Sequence, residues 1–163
     1  LSSPAIQSVP VSPQRKLWAW VPTLAWLVVL ALFSTDTFSA EHTGTILMRV
    51  VQALFGNISA QQFEQIHFLI RKSAHFGSYG LLGALAFFSW RATFPARPRW
   101  IPRWSLLALL LVVAAAALDE FHQSFVPSRT SSWHDVALDC IGAIFFQAAI
   151  AIFLHWRGKR TAG

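Results

Sequence analysis

The chain has 163 residues, of which 55% are hydrophobic and 12% charged, with a net charge of +6. A typical soluble chain is about 25% charged, and a water-soluble domain of this size could not bury the apolar runs found here. Composition therefore excludes an ordinary soluble domain and predicts an all-α membrane protein, a four-transmembrane-helix bundle with an additional exoplasmic amphipathic helix.

In chain order, residues 1–16 carry Pro4, Pro10 and Pro13 among Ser and Gln and read as a disordered cytoplasmic tail. A single membrane domain is expected over 17–156. Its spans fall at about 17–33, 70–90, 104–122 and 135–156, each near the roughly 20 residues that cross a bilayer core. In the first, Trp18 and Trp20 suit the interfacial belt and Pro22 falls in the opening turns. Phe38, Ser39 and Ala40 imitate a signal-peptide cleavage site, but Phe38 is too large at the minus-three position, so the span is expected to be uncleaved. Asp36 reads as a solvated cap.

From Thr43 to Phe55, Ile46, Leu47, Val50, Val51 and Leu54 recur at the spacing of one helical face, too short and polar to span. This segment is expected to lie on the outer membrane surface or to cover the bundle. Gly56 and Asn57 end it, and Ser59 with Gln62 forms a capping box that opens a helix running unbroken from Ala60 to Trp90. On that helix Glu64, His67, Arg71, Lys72, His75, Ser78 and Tyr79 share one polar stripe. Gly77, Gly80 and Gly83 recur at three-residue steps and are expected to form a packing face. The loop Arg91–Arg103 contains Pro95, Pro98 and Pro102 and is expected to be stiff. Residues 157–163 form a basic cytoplasmic tail. Cys140 is the single cysteine, so no internal disulfide can form.

Charge placement sets the expected topology. Nine of the 13 basic residues flank the spans on one side: Arg15, Lys16, Arg91, Arg97, Arg99, Arg103, Arg157, Lys159 and Arg160. The positive-inside rule assigns that side to the cytoplasm, with both termini. All seven acidic residues lie on the other side with Arg49, Arg71, Lys72 and Arg129. The positive charge is then a topology signal, and no nucleic-acid partner is expected.

Chemistry gathers between Asp119 and Gly142. Asp119, Glu120 and Gln123 fall within one helical arc, with His122 just outside it and Phe121 and Phe125 turned away. Pro127, Ser128, Thr130, Ser131 and Ser132 surround Arg129, and Asp135 and Asp139 stand four apart on the next helix. With Arg71, Lys72, His75 and Tyr79 these residues make a charged pocket. One alternative is mutual ion pairing with a purely structural role. In another, Arg and Lys hold a phosphate or carboxylate while a carboxylate or His moves a proton. The carboxylates could also take Mg²⁺ or Ca²⁺, or Zn²⁺ with His75 or His122. Arg129 competes for them, and there is no HExxH or cysteine pair, so neither metal nor cofactor is expected. Ser78, Ser124, Ser128 and Ser132 lack a GxSxG elbow. A proton-coupled transporter is the other class to weigh, since His75 and Asp139 lie within apolar runs. The expected cytoplasmic halves of the second and third spans, Leu81–Trp90 and Trp104–Ala117, contain almost no polar side chains, which argues against a continuous polar route.

Phe33, Ser34 and Thr35 after the first span, the RKxxHxxxY motif at Arg71, Lys72, His75 and Tyr79, and DExxQxFxPxRxxSxxDxxxxxxG from Asp119 to Gly142 together resemble the VanZ-like family of small bacterial membrane proteins. The resemblance covers Trp18 to Phe153. Ser78 stands where relatives often have Glu, Ser128 and Phe146 where Gly is common, and Asp139 where Asn is frequent. The resemblance implies a bacterial inner-membrane, cell-envelope protein related to teicoplanin and other lipoglycopeptide resistance. It assigns no reaction, and whether the protein is an enzyme stays open. On this reading the partners are membrane lipids and a lipid-linked envelope precursor or lipoglycopeptide. Arg71, Lys72 and Arg129 hold the anion, with Ser132 and Asp139 beside them. His75, Asp119, Glu120 and Asp135 are candidate catalytic proton carriers, and Tyr79 and Gln123 orient.

Overall fold

A computed structural model describes residues 12–35, 40–94, 100–126 and 132–160. The described residues form five helices and no strand: α1 (Pro13–Phe33), α2 (Ala40–Phe55), α3 (Ala60–Thr93), α4 (Pro102–Gln123) and α5 (Trp133–Arg160). Pro residues at the first turns of α1 and α4 begin those helices where a missing N–H costs least. The capping box forms at the start of α3: Gln62 N donates to Ser59 Oγ (3.2 Å) and Ser59 N to Gln62 Oε1 (2.9 Å). Gly56 ends α2 with a φ of +76°. α1 starts at Pro13 and α5 runs to Arg160, so each extends beyond its expected span into the flanking basic residues.

α1, α4 and α5 are long and apolar enough to cross a membrane, whereas α3 is not apolar enough by composition. Its position explains why. α3 is the centre of the bundle, packed against α5, α4 and α1 and touched by α2, so it spends its surface on glycines and polar side chains facing other helices rather than on aliphatic residues facing lipid. The outer helices show the reverse. Leu17, Val21, Leu24, Val28 and Leu32 of α1, and Ile141, Ile144, Phe145, Ile152 and Phe153 of α5, are exposed, as lipid-facing stripes must be.

The interior is small-residue packing around Tyr79, Leu82, Val112, Ala116 and Ala143 at one level and Ala86, Phe87, Trp104, Ala108 and Leu154 at the next. α3 and α5 approach closely where Gly142 faces the Phe76 carbonyl, which a side chain at 142 would strike. The Phe146 ring lies over Gly80, within 2.5 Å of where a Cβ would stand. Phe146 and Gly80 thus fit as knob and hollow. Gly77 has nothing within 4 Å of its missing Cβ, so it lies outside the packing face that the glycine recurrence predicts.

The ends of α3 and α4 remote from the Asp119 level hold more polar groups than the sequence led us to expect, grouped into two closed networks. In one, Thr23 and Ser89 hydroxyls meet at 2.8 Å, Ser89 Oγ donates to the Ala19 carbonyl (2.7 Å) and Trp20 Nε1 to Thr93 Oγ1 (2.9 Å). In the other, Ser105 Oγ donates to Gln147 Oε1 (2.9 Å), and Gln147 Nε2 to the Gly83 carbonyl (2.7 Å). Both end on backbone carbonyls, which satisfies the buried side chains locally.

α2 covers the start of α3. Val51 is buried, and Gly44 lies beside the buried ring of His67, which stacks on Phe63 at 5.6 Å. Ile46, Val50 and Leu54 form an exposed apolar stripe. The single face expected for this helix is therefore split, part against α3 and part outward.

Candidate functional site

The α3 and α4 residues of the predicted pocket meet where α4 ends and α5 begins. A cavity of about 280 Å³ opens there between α1, α3 and α4. Arg71, His75, Ser78 and Tyr79 come from successive turns of α3, Asp119 and Gln123 from the last turns of α4, and Trp26, Leu30, Phe33 and Ser34 from α1.

Asp119 is the best-held polar group. Tyr79 Oη donates to its Oδ2 at 3.0 Å and Gln123 Nε2 donates to the same oxygen at 3.0 Å. Oδ1 has no hydrogen bond among the described residues. A carboxylate gripped on one oxygen and open on the other can accept a further donor or a proton without reorienting.

The two adjacent cations differ. Lys72 pairs with Asp135, which is buried, and also lies over the Phe68 ring at 5.4 Å. Arg71, half-buried, lines the cavity and makes no ion pair or hydrogen bond among the described residues. The stripe thus separates into one occupied charge and one available charge.

On the cavity wall His75 stacks nearly parallel to Tyr79, with centroids 6.2 Å apart. Its Nδ1 lies 3.3 Å from Asp139 Oδ1, within ion-pair range but without hydrogen-bond alignment. Asp139 is 1% exposed, and neither of its oxygens has a hydrogen-bond partner among the described residues. Glu120 is buried too: its Oε2 accepts from Ser132 N at 2.6 Å, which ties the end of α4 to the start of α5, and its Oε1 has no partner among the described residues. Ser132 therefore contributes through its backbone N–H.

Of the candidate proton carriers, His75 and Asp119 line the cavity, whereas Asp135 is engaged by Lys72 and Glu120 by Ser132. Arg129 lies outside the described residues, as do Pro127, Ser128 and Asp36. No group of three or more His, Cys, Asp or Glu converges as metal ligands among the described residues.

Sequence reasoning did not place α1 in the site. Trp26 forms one wall and donates its indole N–H to the Ser78 carbonyl at 2.9 Å, and Ser34 Oγ meets His122 Nδ1 at 3.2 Å. The available signal was an indole in mid-run, whose N–H needs a partner in lipid.

The fold and cavity define a helical membrane protein with a polar site at one end of its bundle. The chain belongs to the VanZ/LLP1 family, whose model matches residues 18–154. No curated protein and no solved structure matches the chain.

Proposed function

We propose that this chain is a four-span protein of the bacterial inner membrane, with both termini cytoplasmic, whose exoplasmic cavity binds the anionic headgroup of a lipid or lipid-linked envelope precursor. α3 serves as the fourth span, since it packs along α1, α4 and α5. Arg91 at the end of α3, Arg103 at the start of α4 and the basic end of α5 fall on the same side as Arg15 and Lys16, which supports a cytoplasmic assignment for that side. A role alongside relatives linked to lipoglycopeptide resistance accords with this placement.

The observation that carries the reading is Arg71. A cation inside a largely apolar cavity, against the usual charge bias and with no internal partner among the described residues, is costly unless an external anion meets it. Arg71 holds the anion, Tyr79 and Gln123 hold Asp119 toward it, and Asp119 or His75 carries a proton if the headgroup is altered.

The test is purification with native lipids and identification of what copurifies. Arg71→Ala is expected to lose an anionic lipid that the unmodified protein retains. If no anionic lipid copurifies with the unmodified protein, the proposal fails. Asp119→Asn keeps the lipid in either case, and it abolishes turnover only if there is chemistry.

A further inference from the structure

A second cleft lies on the other side of α1. It encloses about 270 Å³ between α1 and α4, walled by Leu27, Ala31, Ala115 and Leu118, and shares Leu30, Ser34, Tyr79 and Asp119 with the headgroup cavity. Its polar groups are at the end where Ser34, Asp119 and His122 stand, and its apolar groups run away from that end. The cleft exists because α1 packs on α3 and has no comparable interface with α4. Polar at one end and apolar along its depth, between two helices apolar enough to cross a membrane, it has the form of a groove for a lipid chain rather than for a soluble molecule.

We propose that the α1/α4 cleft is the acyl-chain site of the lipid whose headgroup sits at Arg71, so that one lipid straddles the outer end of α1 with its polar junction over Tyr79 and Asp119. This rests on the headgroup reading above and adds the ligand class: a membrane-embedded lipid, taken from the bilayer, with headgroup and chain on opposite sides of one helix. Hydrocarbon fills a gap between spans in any bilayer, since a void forfeits contact on both walls. What selects a chain of the bound lipid is the adjacency of the two cavities, which share four lining residues.

Ala31 and Leu118 are exposed on the cleft walls, so Trp at either position fills the cleft without entering the core. Leu32, exposed on α1 and lining neither cavity, provides the control. The probes are phosphatidylglycerol in nanodiscs, read by native mass spectrometry, and glycerol 3-phosphate, read as a thermal shift. Ala31→Trp and Leu118→Trp are expected to reduce retained phosphatidylglycerol by roughly tenfold or more, since losing the burial of about two methylenes suffices for that change. They should leave the glycerol 3-phosphate shift intact, and Leu32→Trp should leave both unchanged. Equal lipid retention in both cleft variants overturns the chain site while the Arg71 site stands. Loss of both probes in the cleft variants also overturns it, because the cleft would then serve only the shape of the headgroup cavity. If the unmodified protein takes up neither probe, the headgroup reading falls and this inference with it.

Discussion

Tyr79 and Asp119 are joined by a 3.0 Å hydrogen bond that ties α3 to α4 across the floor of both cavities. Interhelical hydrogen bonds in membranes are worth only about 0.6 kcal/mol on average. Tyr79→Phe should therefore barely lower the unfolding temperature in detergent. Its main effect should be on the ligand, because Tyr79, which lines both cavities, loses its hydroxyl. A large stability loss without a change in retained lipid would show that the pair is a structural strut.

Lys72 and Arg71 should respond differently to removal. Breaking a fully buried ion pair by deleting one partner costs about 3–5 kcal/mol. The Lys72 side chain is 31% exposed, so with solvent screening Lys72→Met should cost about 1–2 kcal/mol. Asp135→Asn in the same chain should recover part of it, a coupling readable in a double-mutant cycle. Arg71→Met has no ion pair among the described residues to break and should be close to neutral in stability. Equal destabilisation by the two single changes would refute this division of labour.

Gly142→Ala forces a methyl against the Phe76 carbonyl, a backbone atom that cannot turn aside. Overpacking of this kind costs about 1–3 kcal/mol. Gly77→Ala meets nothing within 4 Å and should be neutral or stabilising by up to about 1 kcal/mol through helix propensity. Thermal unfolding of the two variants side by side decides the matter, and a reversed order would place the close α3/α5 contact elsewhere.

Topology is testable with Cys140 replaced and single cysteines introduced at Gln61 and Arg103, both exposed. In intact cells stripped of their outer barrier, an impermeant maleimide should label Gln61→Cys and spare Arg103→Cys. Labelling at 103 from outside would invert the assignment.

Much of this architecture is legible from residue chemistry. The capping box at Ser59 and Gln62 marks where α3 begins, and the arc of Asp119, Glu120 and Gln123 faces inward, while Phe121 and Phe125 are exposed. Three things escaped. Leu30 and Phe33 line the cavity, yet an apolar side chain facing a pocket in lipid has the same composition signal as one facing the bilayer. α3 reads as one more span with a polar stripe, but its lower hydropathy comes from being enclosed on several sides, which periodicity alone does not reveal. The glycines mislead through geometry: three-residue steps precess by about 60° each, so Gly77 and Gly83 point about 120° apart and cannot share one contact.

The attachment of α1 carries a consequence for biogenesis. Thr23 is fully buried against Ser89, 66 positions later in the chain, and Trp20 bonds Thr93, 73 positions later. When the first span enters the membrane, these polar groups therefore have no docking surface until α3 has been synthesised. The nascent first helix must wait, in lipid or beside an insertion factor, before Thr23 and Trp20 meet their partners on α3. Photocrosslinkers at Thr23 in stalled chains should report such a neighbour before residue 93 emerges and lose it afterwards.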